Sequence, residues 1–90
     1  MRKFGICLVI GDNGFVYVGD TRLEDGYYIV TNCANVRKAG TTRGFGEIAF
    51  GGPTAETVLD PSPHVLFPEA RVCHLMVCDA VDKWKKVLGM

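Results

Sequence analysis

The chain has a single serine, and it is held between two prolines in Pro61-Ser62-Pro63. No nucleophile-elbow pattern surrounds it, so a Ser-His-Asp hydrolase is excluded. Neither charge is in excess: ten Lys and Arg balance ten Asp and Glu. That balance argues against non-specific duplex DNA binding, which needs cations to displace counterions. It argues equally against a general nucleic-acid mimic, which needs dense carboxylates, and it removes repulsion as a brake on homo-oligomer formation. No apolar run approaches the ~20 residues of a membrane helix, so no membrane partner is expected.

Paired-cysteine motifs are also missing. Cys7, Cys33, Cys73 and Cys78 are separated by 25, 39 and 4 residues, with no C-x-x-C knuckle, so neither a zinc site nor another metal is expected. The N-terminus is basic at Arg2 and Lys3, but the apolar run Phe4–Ile10 is short, contains Gly5, and leads to no small-residue cleavage site. Reduced thiols in a cytosolic protein are the expectation, with Cys7, Cys73 and Cys78 reading as small core hydrophobes. Adjacent Cys73 and His74 point to opposite faces of a strand, which rules them out as a thiol–imidazole pair. The carboxylates are scattered through turns and a helix start, and no acid/base pair stands out. The expectation is a protein that is not an enzyme and uses no cofactor.

What is present is enough for one small core. Ninety residues make one domain, residues 1–90, and 48% of them are apolar. Phe4–Ile10, Phe15–Arg22 and Tyr27–Asn32 have strand composition. They are punctuated by turn signals at Gly11-Asp12-Asn13-Gly14 and Asp25-Gly26, where Asn13-Gly14 supplies residues tolerant of positive φ. From Ala34 the texture changes, with a short helical turn at Glu47–Phe50. Asp60-Pro61-Ser62-Pro63 reads as a rigid bend. His64–Phe67 reads as an edge strand and Arg71–Val77 as the last strand. Asp79 then looks like the N-cap of a helix whose apolar face is Val81, Trp84, Val87 and Leu88. The expected fold is mainly β (α+β): a small bent antiparallel sheet or partly open β-barrel of five to six strands, with one C-terminal α-helix.

The chemistry-bearing stretch is Thr41-Thr42-Arg43-Gly44-Phe45-Gly46, followed by Gly51-Gly52-Pro53-Thr54. Glycines let backbone N–H groups approach a phosphate, threonine hydroxyls add donors, and Arg43 can bind it bidentately. Neither a Walker loop nor a dinucleotide fingerprint is completed. The alternative reading is that the glycines shape tight turns and Arg43 is solvated. Tyr27, Tyr28 and Phe45 are the aromatic rings that would stack on a base.

The run Arg37-Lys38-Ala39-Gly40-Thr41-Thr42-Arg43-Gly44-Phe45-Gly46-Glu47-Ile48-Ala49, with Gly52-Pro53-Thr54, Thr57-Val58-Leu59-Asp60 and Pro68, resembles a family of short uncharacterised bacteriophage- and prophage-encoded proteins. The likeness extends from about Phe15 to Trp84. Members of that family often carry a tryptophan before the Gly-Thr step, where this chain has Ala39. The resemblance implies a phage origin and a setting in the host bacterial cytoplasm or in the virion. The resulting expectation is a non-enzymatic accessory protein countering host defence, in its most concrete form an oligomeric sponge for a phosphate-bearing nucleotide signal. Thr41, Thr42, Arg43, Gly44, Phe45 and Gly46 would hold that ligand. The alternatives are an inhibitor of a host defence protein such as a CRISPR effector, and a small capsid- or tail-associated structural protein.

Overall fold

A computed structural model describes all 90 residues. Three long strands, β1 (Arg2–Gly11), β2 (Val16–Glu24) and β3 (Tyr27–Lys38), form an antiparallel meander. A short helix α1 (Phe45–Gly51) follows, then β4 (Val58–Ser62), β5 (Val65–Pro68), a 3-10 turn (Glu69–Arg71), β6 (Val72–Val77) and α2 (Val81–Leu88). The sheet runs β4-β3-β2-β1-β6, with β5 also paired to β3. It is open, with β4 and β5 on one edge and β6 on the other, so it does not close into a barrel.

The turns follow from their residues. Asp25 and Gly26 both have positive φ, 51° and 81°, as a two-residue hairpin between the paired Glu24 and Tyr27 requires. At the first turn only Gly14 is left-handed, at φ 88°. Asn13 contributes through its side chain instead, Oδ1 accepting from Phe15 N–H at 3.1 Å.

β3 is longer than its composition suggests. Alternation breaks at Asn32, which takes φ 48° and lies in a bulge where Val18 pairs with Ala34 but Asp20 pairs with Thr31. Before the bulge the even-numbered Tyr28 and Val30 face one side of the sheet; after it Ala34 and Val36 face the other. The stretch Asp60–Pro63 is a correction too: it is strand for most of its length, not a bend. Pro61, which has no N–H, is tolerated because β4 is an edge strand pairing only with β3. From Leu59 to Pro68, β4 and β5 are one line of chain in a single register against β3, interrupted at Pro63-His64 opposite the bulge.

Both faces carry apolar clusters. On one side Ile6, Leu8, Val16, Val18, Ala34 and Val36 pack beneath Ile48, Ala49, Cys78 and Trp84, which come from the two helices and the loop before α2. On the other side, which no helix covers, the bent sheet gathers Cys7, Val9, Val30, Cys33 and Phe67, flanked by Tyr17, Tyr28 and Leu75. Helix α2 is anchored by one residue. Trp84 is fully buried and donates Nε1–H to Ile48 O at 3.1 Å, while Val81 and Val87 of the expected apolar face stand exposed. The N-cap is Ala80, without a side-chain cap, and not Asp79. Asp79 instead donates its backbone N–H to Ala49 O at 2.9 Å, tying α2 to α1.

Three of the four cysteines are buried and all four are free, but Cys73 is exposed on β6, contrary to its reading as a core residue. Burial pushes the Cys7 thiol up to about 11 and, together with its neighbour Cys7, the Cys78 thiol up to about 12. Burial also raises Cys33, whose Sγ donates to Pro63 O at 3.2 Å. Reaction with a disulfide reagent needs the thiolate and access to it. One thiol per native chain is therefore expected to react promptly, with the other three following only in denaturant. A second fast thiol would mean that the sheet opens locally.

Candidate functional site

β3 ends at Lys38, and the chain turns through residues 39–44 into α1. This loop is pinned from below by two hydroxyls. Thr57 Oγ1 donates to Ala39 O at 2.7 Å and Thr54 Oγ1 to Gly40 O at 3.0 Å. Those hydroxyls are themselves fixed, since Thr54 N–H donates to Thr57 Oγ1 at 2.8 Å and Glu56 N–H to Thr54 Oγ1 at 3.2 Å. Gly40 has φ 69° and lies so close to the Glu56–Thr57 backbone that any Cβ would collide with it. Within the loop, Thr41 Oγ1 donates to Gly44 O at 2.8 Å.

Three of the loop's carbonyls are thus engaged while its donors are not. The N–H groups of Gly40, Thr41, Thr42, Arg43 and Gly44 reach no protein acceptor, whereas Ala39, Gly40 and Gly44 each accept a threonine hydroxyl. Five consecutive donors with no protein partner leave a crest open to water or to an acceptor-rich group.

Beside the crest lies an open groove of about 610 Å³ lined by Lys38, Ala39, Gly40, Thr41, Thr42, Glu47 and Glu56. Of the six residues expected to bind a ligand, Thr41 and Thr42 line this groove. Arg43 and Gly44 are exposed on the adjoining loop, outside its lining, and Gly46 is exposed on α1. Phe45 is half-buried against the helix-side core. The other rings stand apart: Tyr27 opens β3 at the end opposite Lys38, and Tyr28 packs on Phe4 with centroids 5.9 Å apart. Gly51 and Gly52 close α1, and Gly52 is buried beside Lys83.

Sequence reasoning had passed over four participants. Lys38 is the cation of the groove, because its neighbour Arg37 is held bidentately by Asp60 at 2.9 Å on both bonds, which raises the guanidinium's pKa. Glu56 was unnoticed because it enters from a distant loop. Thr57 stands out in the sequence only within the run Thr57-Val58-Leu59-Asp60. Gly40 stands out only within the run Arg37–Ala49. The Thr-x-x-Thr spacing of 54 and 57 was the available signal.

No protein-family model matches the chain, and no curated protein matches it. Function is therefore argued from this geometry. A second hollow, of about 620 Å³, is lined by Tyr17, Phe67, Asp12 and Arg71 among others, but there the guanidinium already meets Asp12 at 2.8 Å and the two rings pack edge-on at 5.6 Å. No helix is long and apolar enough to cross a membrane.

Proposed function

We propose that this is a non-catalytic, phage-encoded binding protein that counters host defence by sequestering a nucleotide in the groove beside residues 40–44. The observation that carries this reading is the pinned crest of unpartnered backbone donors, which is preorganised for acceptor oxygens and so spends little ordering entropy on binding. Arg43 and Lys38 supply charge at its two ends. Glu47 and Glu56 in the same groove disfavour a bare phosphate. They favour a ligand that also offers donors, because a carboxylate accepts from ribose hydroxyls or an exocyclic amine. A nucleotide has both halves. The resemblance to phage proteins supports the host-bacterial setting, and a balanced charge suits a small-molecule ligand better than a polymer.

The test is native mass spectrometry of the protein after incubation with a panel of mononucleotides and cyclic dinucleotides, with inorganic phosphate as competitor. A nucleotide adduct is expected that phosphate does not displace. Lys38→Ala and Arg43→Ala should each weaken it about tenfold, the loss of one charge-assisted contact, with the melting temperature unchanged. If no nucleotide forms an adduct, the reading fails. Stoichiometric co-sedimentation with purified virions would replace it with the structural alternative.

A further inference from the structure

The two edges of the sheet are unlike. The outer edge formed by β4 and β5 carries Pro61 and Pro68 within its strands and Pro63 between them, residues that cannot donate to another strand. The β6 edge, Val72-Cys73-His74-Leu75-Met76-Val77, has no proline, lysine or carboxylate, and its one irregularity is a bulge at Cys73. β6 pairs with β1 alone.

Which of its groups are free follows from one bond. Cys78 N–H donates inward to Ile6 O at 2.9 Å, in the same register that pairs Met76 with Leu8 and His74 with Ile10. In an antiparallel ladder such residues alternate, so Leu75 and Val77 direct their N–H and C=O groups away from β1. Val77, a β-branched residue, is 57% exposed there. Beside it Val81 and Met90 are 38% and 46% exposed, and all three line one hollow with Phe4 and Lys85.

We propose that β6 pairs antiparallel with β6 of a second copy, about a two-fold axis at Leu75, joining two sheets into one. An identical strand related by a two-fold axis returns the same donors and acceptors, and an axis at Leu75 overlaps more of β6 than one at Val77. In this register Leu75 faces its own copy and Val77 comes opposite Cys73, where the bulge ends the ladder; beyond it Arg71 turns its C=O inward to Asp12 N–H at 2.8 Å. The two ends of the strand are complementary: Arg71 precedes β6 and is 66% exposed, with only its Nε engaged by Asp12, and Asp79 follows it, exposed and without an ion-pair partner, so antiparallel pairing brings Arg71 of each copy to the side of Asp79 of the other. Identical copies of zero net charge do not repel. The groove at Lys38 lies at the end of β3, across β2 and β1 from this edge, and stays open in both copies. The pairing does not depend on the nucleotide reading.

Light scattering on the eluting protein at high micromolar concentration tests it, with an expected mass twice that of the 9.8 kDa chain. Val77→Lys, which places a charge on the free edge and touches no core, is expected to give the single-chain mass with an unchanged far-UV circular dichroism spectrum. Arg71→Glu is expected to weaken association about tenfold over the two symmetry-related pairs, and Arg71→Glu with Asp79→Arg to restore it. A wild-type chain that stays monomeric, or a Val77→Lys variant that keeps the doubled mass, overturns the pairing. Failure of the double variant to recover overturns the antiparallel juxtaposition of the strand ends.

Discussion

Trp84→Ala is expected to lower the thermal midpoint by on the order of 20 °C, enough to leave the domain partly unfolded at physiological temperature. Removing a fully buried tryptophan costs about 3–5 kcal/mol, and in a domain of this size each kcal/mol moves the midpoint by roughly 4–8 °C. The helix-side core concentrates the effect. Trp84 is the only residue of α2 that is fully buried, and it joins that helix to α1 through Ile48. Trp84→Phe separates the two contributions. It fills much of the space, and the Ile48 carbonyl it abandons still accepts from Gly52 N–H at 2.8 Å. The expected cost is therefore about 1 kcal/mol for the lost hydrogen bond plus a smaller packing loss. Thermal melts followed by far-UV circular dichroism decide it. An alanine variant melting within a few degrees of wild type would show that α2 is dispensable to the core.

Gly19→Ala is the second large effect, and it comes from a single methyl group. A Cβ at Gly19 would stand 2.5 Å from Cys33 Cβ, 2.8 Å from Thr31 O and 2.9 Å from Cys33 Cα. Two of those atoms are backbone of the facing strand, so no rotamer change makes room. The β2–β3 ladder must open at the bulge, at a cost near the upper end of the roughly 1–3 kcal/mol typical of overpacking. Gly46→Ala is the matched control. That glycine lies in α1 with nothing within 4 Å of its would-be Cβ and no positive φ, so the same substitution should stabilise by roughly 0.5–1 kcal/mol. Chemical denaturation of the pair should move the midpoints in opposite directions. Equal midpoints would mean that the sheet relaxes around Gly19 freely.

The meander was legible because its turns announce themselves: Asp25-Gly26 needs two left-handed residues and has the two types that supply them most readily. The last strand and the last helix were legible from composition and spacing. The second half of β3 was not. A bulge shifts the inward-facing positions by one, so a strand running through Asn32 looks, as a pattern, like a strand that ends there. β4 was hidden by Pro61, because a proline pair signals a bend unless it is known that the strand lies on an edge. The site followed the same division. The Thr41–Gly46 stretch could be picked out as a candidate, since its glycines and hydroxyls are adjacent in the chain. Its groove could not, since Glu56 and the hydroxyls of Thr54 and Thr57 arrive from the far side of α1.

Order of synthesis gives the Trp84 anchor a kinetic meaning. The strands of the meander are neighbours in the chain and can pair as soon as they emerge from the ribosome, closing only short loops. Their helix-side surface, with Leu8, Val18 and Val36, is covered only by Ile48 and Ala49 of α1 until residues 78–84 have left the ribosome. For that interval the nascent chain is a formed sheet with a half-covered apolar face and an unpaired β1 edge, the kind of species that chaperones hold and neighbouring chains capture. Docking of Trp84 closes the apolar face and β6 covers β1, so commitment to the native state comes late. Chains released after Val77 should be lost to aggregation far more than chains released after Leu88.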